Sequence, residues 1–139
     1  RVDLGIIRMS LNVVHFKNGT ASMANAAMPP IYHYSAKSKK LKEIEIVNLP
    51  LGGLSNEEYE LIEIKFHKGD LLIQLSDGLP EAPNPSGDLI DYDRLFDCIE
   101  QNAMKSPKDV VESLVDLAEN WLDGNINPDD ITIVATKKV

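Results

Sequence analysis

Cysteine is nearly absent. The 139-residue chain holds one, Cys98, which excludes an intrachain disulfide and a cysteine-rich zinc site and points to a cytoplasmic setting. Long apolar runs are missing too. None approaches the ~20 residues that a membrane-spanning helix requires, and no basic-then-apolar leader opens the chain. Positive charge is scarce. Fourteen Lys and Arg stand against 22 Asp and Glu, a formal net charge of −8, which argues against nucleic-acid binding because that depends on cations that neutralise phosphates. The acidic excess serves solubility in the simplest reading and is compatible with metal binding.

Signs of side-chain nucleophilic chemistry are equally thin. Ser76 has no histidine near it in sequence, as a serine nucleophile would need. His15, His33 and His67 are spread out without ligand spacing. Gly52-Gly53 is followed by no Lys-Ser/Thr, so it is not a phosphate-cradling loop. Cys98 stands near Leu95 and Phe96 and reads as a packed thiol.

The residues that are present suit one soluble globular domain over 1–139. Leu4 to Met9 is ambiguous between a helix end and a strand. Leu11 to Phe16 reads as a strand, Asn18-Gly19 as a tight hairpin turn, and Thr20 to Ala26 as the return strand. Pro29-Pro30 interrupts pairing, Ile31 to Tyr34 resumes an extended segment, and Ser35 to Lys40 is an exposed turn. Glu43 to Val47 and Tyr59 to Phe66 alternate polar with apolar residues, the mark of half-buried strands. Pro50 to Leu54 reads as a loop between them. His67-Lys68-Gly69 turns into a strand from Asp70 to Leu75. Together these read as a meander of hairpins.

A proline-rich loop follows from Pro80 to Gly87. Tyr92, Leu95, Phe96 and Ile99 then share one helical face. Ser106-Pro107 reads as an N-cap with proline at the first helical position. The second helix is expected to bury Val110, Val111, Leu114, Leu117, Ala118, Trp121 and Leu122, and to stop at Gly124. Ile131 to Thr136 is a last β-branched strand. Strands, two helices, then one strand make an α+β arrangement with helices covering an antiparallel sheet.

Two acidic features carry the chemistry. Asp77-Gly78 lies at the exit of the apolar strand, and Asp129-Asp130 lies just before the last one. Each alone reads as a polar turn. If the two strands are neighbours, however, Asp77 and Asp129 converge at one end of the sheet, and converging carboxylates hold a hard divalent cation. A cation would also offset the repulsion within Asp129-Asp130.

Several segments, in order, carry a family resemblance. They are Asn25-Ala26-Ala27-Met28-Pro29-Pro30, Gly69-Asp70-Leu71-Leu72-Ile73, Ser76-Asp77-Gly78-Leu79-Pro80-Glu81-Ala82 and Asp129-Asp130-Ile131-Thr132-Ile133-Val134. The chain resembles the C-terminal part of a SpoIIE/RsbU-type serine phosphatase, within the PPM metal-dependent protein phosphatases. The resemblance implies an antiparallel β-sandwich flanked by helices. It also implies two Mn²⁺ or Mg²⁺ ions and a metal-activated water that attacks phosphoserine or phosphothreonine with no catalytic side-chain nucleophile. On this likeness Asp77 and Asp129 are metal-binding, while Gly78 and Asp130 support them.

The implied substrate is a phosphorylated regulatory protein, of the STAS-type anti-anti-sigma class in bacterial partner switching, and a sensor or receiver domain is expected upstream in the parent protein. Two departures stand out. The family's first strands, with an Asp and an Asp-Gly, have no counterpart; Asp3 is the only acid near Arg1 and lacks the glycine. The domain therefore reads as N-terminally incomplete. The family's common Ala-Gly-His-Pro-Pro is here Ala26-Ala27-Met28-Pro29-Pro30, placing an apolar thioether, Met28, on the substrate side. Two alternatives remain beside the enzyme: a catalytically degenerate module on the same fold that binds a regulatory partner without hydrolysis, and an unrelated α+β domain with coincidental acidic turns.

Overall fold

The structure is a computed structural model and describes residues 7–54 and 56–139. Residues 4–6 of the ambiguous opening segment lie outside the described residues. Its end, Met9, forms an isolated antiparallel bridge with Leu51.

Two antiparallel sheets and two helices make three layers. Strands β1 (Leu11–Lys17) and β2 (Thr20–Ala26) form the hairpin read from Asn18-Gly19. Both turn residues are left-handed, with φ of 49° and 76°, as a two-residue turn that matches strand twist requires. Strand β5 (Ile62–Lys65) pairs with the other side of β2, completing a three-stranded sheet in the order β1-β2-β5. The second sheet contains β3 (Ile31–Ser35), β4 (Lys40–Ile44), β6 (Leu71–Leu75) and β7 (Ile133–Lys137), in the order β4-β3-β6-β7.

The strands therefore do not follow one another as a meander. Chain neighbours β4 and β5, and β5 and β6, lie in different sheets. Local alternation says which face of a strand is buried but not which sheet it joins. Strand boundaries also move, the last strand from Ile131–Thr136 to Ile133–Lys137. The segment read as Glu43 to Val47 pairs only up to Ile44, because its partner β3 begins at Ile31, opposite Ile44, and Val47 is 81% exposed. The segment read from Tyr59 pairs only from Ile62, opposite Met23.

Strand β6 is covered on both faces, which explains its unbroken apolar run. Leu72 points between the sheets to join Ala21, Met23, Ile31, Ile46 and Phe66. Leu71, Ile73 and Leu75 point to the other face and join Leu79, Ile90 and the helical residues Leu95, Ile99, Val110 and Leu114. Alternate residues pointing to opposite faces make β6 the shared wall of two cores. Helix α1 (Asp91–Asn102) and helix α2 (Pro107–Leu122) form the outer layer. Ser106 caps α2 as read: its hydroxyl accepts from Asp109 N, and the Asp109 side chain accepts from Ser106 N, a capping box. Val110, Leu114 and Ala118 are buried as expected, while Val111, Leu117, Trp121 and Leu122 are half-buried. The helix ends in a left-handed Asp123 followed by Gly124 at φ 85°.

Candidate metal centre

Strands β6 and β7 are antiparallel neighbours, with Leu75 opposite Ile133. The exit of one and the approach to the other thus meet at the same rim. Ser76 fastens them. Its N–H donates to Thr132 O (3.0 Å), its hydroxyl donates to Asp130 O (3.1 Å), and Thr132 N donates to Ser76 Oγ (2.9 Å). The hydroxyl is engaged by backbone on both sides.

The chain then reverses. Glu81 N donates to Asp77 O (3.0 Å), leaving the Asp77 side chain exposed at the turn. Gly78 is buried, and a Cβ there would overlap the carbonyl oxygen and carbon of Asp130. Only a residue without a side chain permits this approach. Asn127 Nδ2 donates to Gly78 O (2.9 Å). The segments carrying Asp77-Gly78 and Asp129-Asp130 are therefore clamped together along several residues. The Asp129 carboxylate is exposed and turned onto its own chain, with Oδ1 accepting from Asp130 N (2.8 Å).

Asp77 also lines a cleft of about 340 Å³ whose walls include Met28, Glu81, Tyr92, Glu45 and Asn25. Asp129 and Asp130 stand beside this cleft and are not in its wall. The cleft is acidic. Burial, and then the carboxylates of Glu81, Asp77 and Glu43, push the Tyr92 phenol above its usual pKa. The Met28 loop is held by Asn25, buried on β2. Asn25 Nδ2 donates to Met28 O (2.8 Å), and Met28 N donates to Asn25 Oδ1 (2.8 Å). Between them Ala27 is left-handed, with φ 53°.

The donors at this rim are carboxylate oxygens, the hard ligands that Mg²⁺ and Mn²⁺ prefer. Asn127 Oδ1 adds a buried oxygen with no hydrogen-bond partner among the described residues. The chemistry fits such an ion, but the set is partial: among the described residues, no three His, Cys, Asp or Glu side chains cluster so as to hold a metal.

Asn25, Glu81, Tyr92 and Asn127 were not singled out from sequence. Asn25 gave the clearest signal, a polar residue at an inward-facing strand position, where only an internal hydrogen-bonding role offsets burial. Tyr92 reads as part of a helix face, yet it is 40% exposed and lines the cleft.

A family profile described as Stage II sporulation protein E (SpoIIE) matches residues 3–138. The chain belongs to the SpoIIE family. Among curated relatives of this SpoIIE-family chain, the phosphoserine phosphatase RsbU of Bacillus subtilis (strain 168) is 28% identical over 116 residues, which cover 84% of this chain and 34% of RsbU. The SiaA-PP2C domain of Pseudomonas aeruginosa superposes with a TM-score of 0.74 at 20% identity, covering 86% of this chain and 46% of that one. The phosphatase domain of SpoIIE from Bacillus subtilis, presoaked in Mn, superposes with a TM-score of 0.69 at 15% identity, covering 94% and 56%. These likenesses show the PP2C fold. The SpoIIE-family chain spans about half the length of the solved domains and about a third of RsbU.

Proposed function

We propose that this chain is the C-terminal part of a metal-dependent phosphatase domain, and that the complete domain hydrolyses phosphoserine or phosphothreonine on a regulatory protein. One observation carries the reading: Asp77-Gly78 is clamped against Asp129-Asp130 at an acidic rim. In this reading Asp77 and Asp129 hold the cation, Gly78 permits the approach, and Asp130 supports the Asp129 turn.

The rest of the shell comes from outside the described residues, from the portion of the domain that this chain does not span. Two Mn²⁺ or Mg²⁺ ions are expected in the whole domain. When bound, they supply a water of lowered pKa and offset charge on the phosphoryl oxygens. The chain itself orients the acids through the Ser76 and Asn127 bonds, and it shapes the substrate side with Met28, held by Asn25. A phosphorylated STAS-type anti-anti-sigma protein is the proposed substrate class, in a cytoplasmic setting with an upstream sensor or receiver domain. The RsbU relative, described as a phosphoserine phosphatase, supports this reading.

The incomplete donor set and Met28 favour a second reading, a partner-binding module without turnover. Assay of the full-length protein on a phosphoserine substrate with Mn²⁺ separates the two. The enzyme reading expects turnover that a chelator abolishes and that Asp77→Ala lowers by at least about a hundredfold, of the order lost with one strong electrostatic contact in a transition state. Tight substrate binding without turnover by the wild type supports the module, and unchanged activity in Asp77→Ala rejects the assigned role.

A further inference from the structure

The net charge of −8 conceals a sharp separation. Ten of the eleven lysines of the chain gather at the end of the sandwich opposite Asp77, and Lys42 stands two residues along β4, opposite His33. The strand pairing fixes this. Lys17 and Lys65 flank Thr20 across the three-stranded sheet. Lys40 pairs with Ser35 at the β3–β4 turn, which also carries Lys37 and Lys39. Lys68 lies in the turn before β6, and the next residue, Gly69, donates its N–H to Lys138 O. Lys137 Nζ donates to the carbonyls of Ala103, Met104 and Lys105 after α1, which brings Lys105 and the start of α2 with Lys108 to the same end.

Few acids answer these charges. Asp70 is buried, Asp109 is engaged with Ser106, Glu112 pairs with Lys108 at 3.4 Å, and Glu100 stands exposed on the last turn of α1. Glu43 and Glu63 stand further along their strands, opposite Tyr32 and Ser22. Lys17, Lys37, Lys39, Lys40, Lys68 and Lys105 are exposed and make no ion pair among the described residues. The acidic end lies a strand length away, ~17 Å for the five residues of β6 at ~3.3 Å each. That is about two Debye lengths at physiological salt, so the distant carboxylates screen out and the lysine end acts as a local cation.

We propose that this end docks on an anionic lipid surface, with the Asp77 rim facing away from it. The chemistry of the patch selects that occupant. It is built wholly from lysine, a compact hydrated charge with no fork for bidentate recognition. Protein interfaces are depleted in lysine and enriched in arginine and aromatics. The charges are spread over several separate turns and strand ends, not lined along one helix or strand of the kind that enters a nucleic-acid groove. A broad plane of headgroups asks only for dispersed positive charge, and each lysine near it adds to binding.

The test compares the full-length protein with a quadruple variant, Lys37→Glu, Lys39→Glu, Lys40→Glu and Lys68→Glu, and with its Lys→Arg counterpart. Binding is measured by flotation with phosphatidylcholine vesicles, with and without phosphatidylserine, and melting temperature checks folding. The difference between variants removes any attachment made elsewhere in the protein. The proposal expects binding that needs phosphatidylserine, weakens with added salt, falls at least tenfold on charge reversal, as lost surface lysines imply, and survives in the arginine version. Absent binding, equal binding to neutral vesicles, or indifference to charge reversal overturns it. So does a tighter, reversal-sensitive hold on duplex DNA at equal phosphate concentration, which would make the surface one for nucleic acid.

Discussion

Gly78 lies against the carbonyl of Asp130 with no room between them for a methyl group. The contact joins the exit of β6 to the approach of β7, and it places Asp77 and Asp129 on one rim. Gly78→Ala must push the Asp129-Asp130 segment away. It is expected to cost about 1–3 kcal/mol, the usual range for overpacking, and to weaken Mn²⁺ binding by the full-length protein. Denaturant unfolding and Mn²⁺ titration check this. A variant unchanged in both would show that the contact does not set the rim.

Asp70 ties the opposite end together. Its buried carboxylate accepts from Ala36 N through Oδ1 and from His67 N through Oδ2, both at 2.8 Å, and His33 Nε2 lies 3.5 Å from Oδ2. Burial pushes its pKa up, but the two N–H donors and His33 outweigh burial and leave it below the usual value. The unfolded chain therefore takes up this proton more readily than the folded one. The stabilisation is complete above the ordinary aspartate pKa of about 3.9 and is lost as pH falls through the lower folded value. Asp70→Asn turns an NH₂ group towards a backbone N–H. It is expected to cost about 1–3 kcal/mol and to flatten the acid limb of the stability profile, as followed by unfolding between neutral and acid pH.

Ala27 occupies a left-handed conformation at φ 53°, where the resembling family motif has glycine. A non-glycine residue there costs about 1–2 kcal/mol, while glycine adds about 0.4–1 kcal/mol of unfolded-state entropy. Relief of strain outweighs the entropy, so Ala27→Gly is expected to stabilise the protein by roughly 0.5–1 kcal/mol and raise the melting temperature. A fall in melting temperature would show that the loop prefers the alanine.

Much of the fold was legible because the decisive signals are local. Asn18-Gly19 sets the first hairpin, Ser106-Pro107 opens α2, and Gly124 closes it, each through backbone chemistry that depends on neighbours in sequence. The assignment of β5 to β2 was not legible, because Ile62 and Ile64 alternate with Glu63 and Lys65 in the same way whichever sheet they join. The short pairing of β4 was hidden for a similar reason: Ile46 is buried beyond the strand's last ladder pair. At the candidate site, Asp77-Gly78 and Asp129-Asp130 stood out as acidic turns beside apolar strands. Asn25 and Asn127 did not, since their work is to hold backbone atoms from elsewhere in the fold, Met28 and Gly78. The gathering of lysines at one end was invisible to net charge, which sums over positions that folding separates.

In the proposed function Asp77 and Asp129 serve one cation. Electron paramagnetic resonance counts bound Mn²⁺ directly in the full-length protein and in its Asp77→Asn and Asp129→Asn variants, with circular dichroism confirming that each is folded. Either substitution is expected to weaken the same bound ion, and combining them to weaken it little further. Full Mn²⁺ occupancy in either folded single variant, at wild-type affinity, would contradict this.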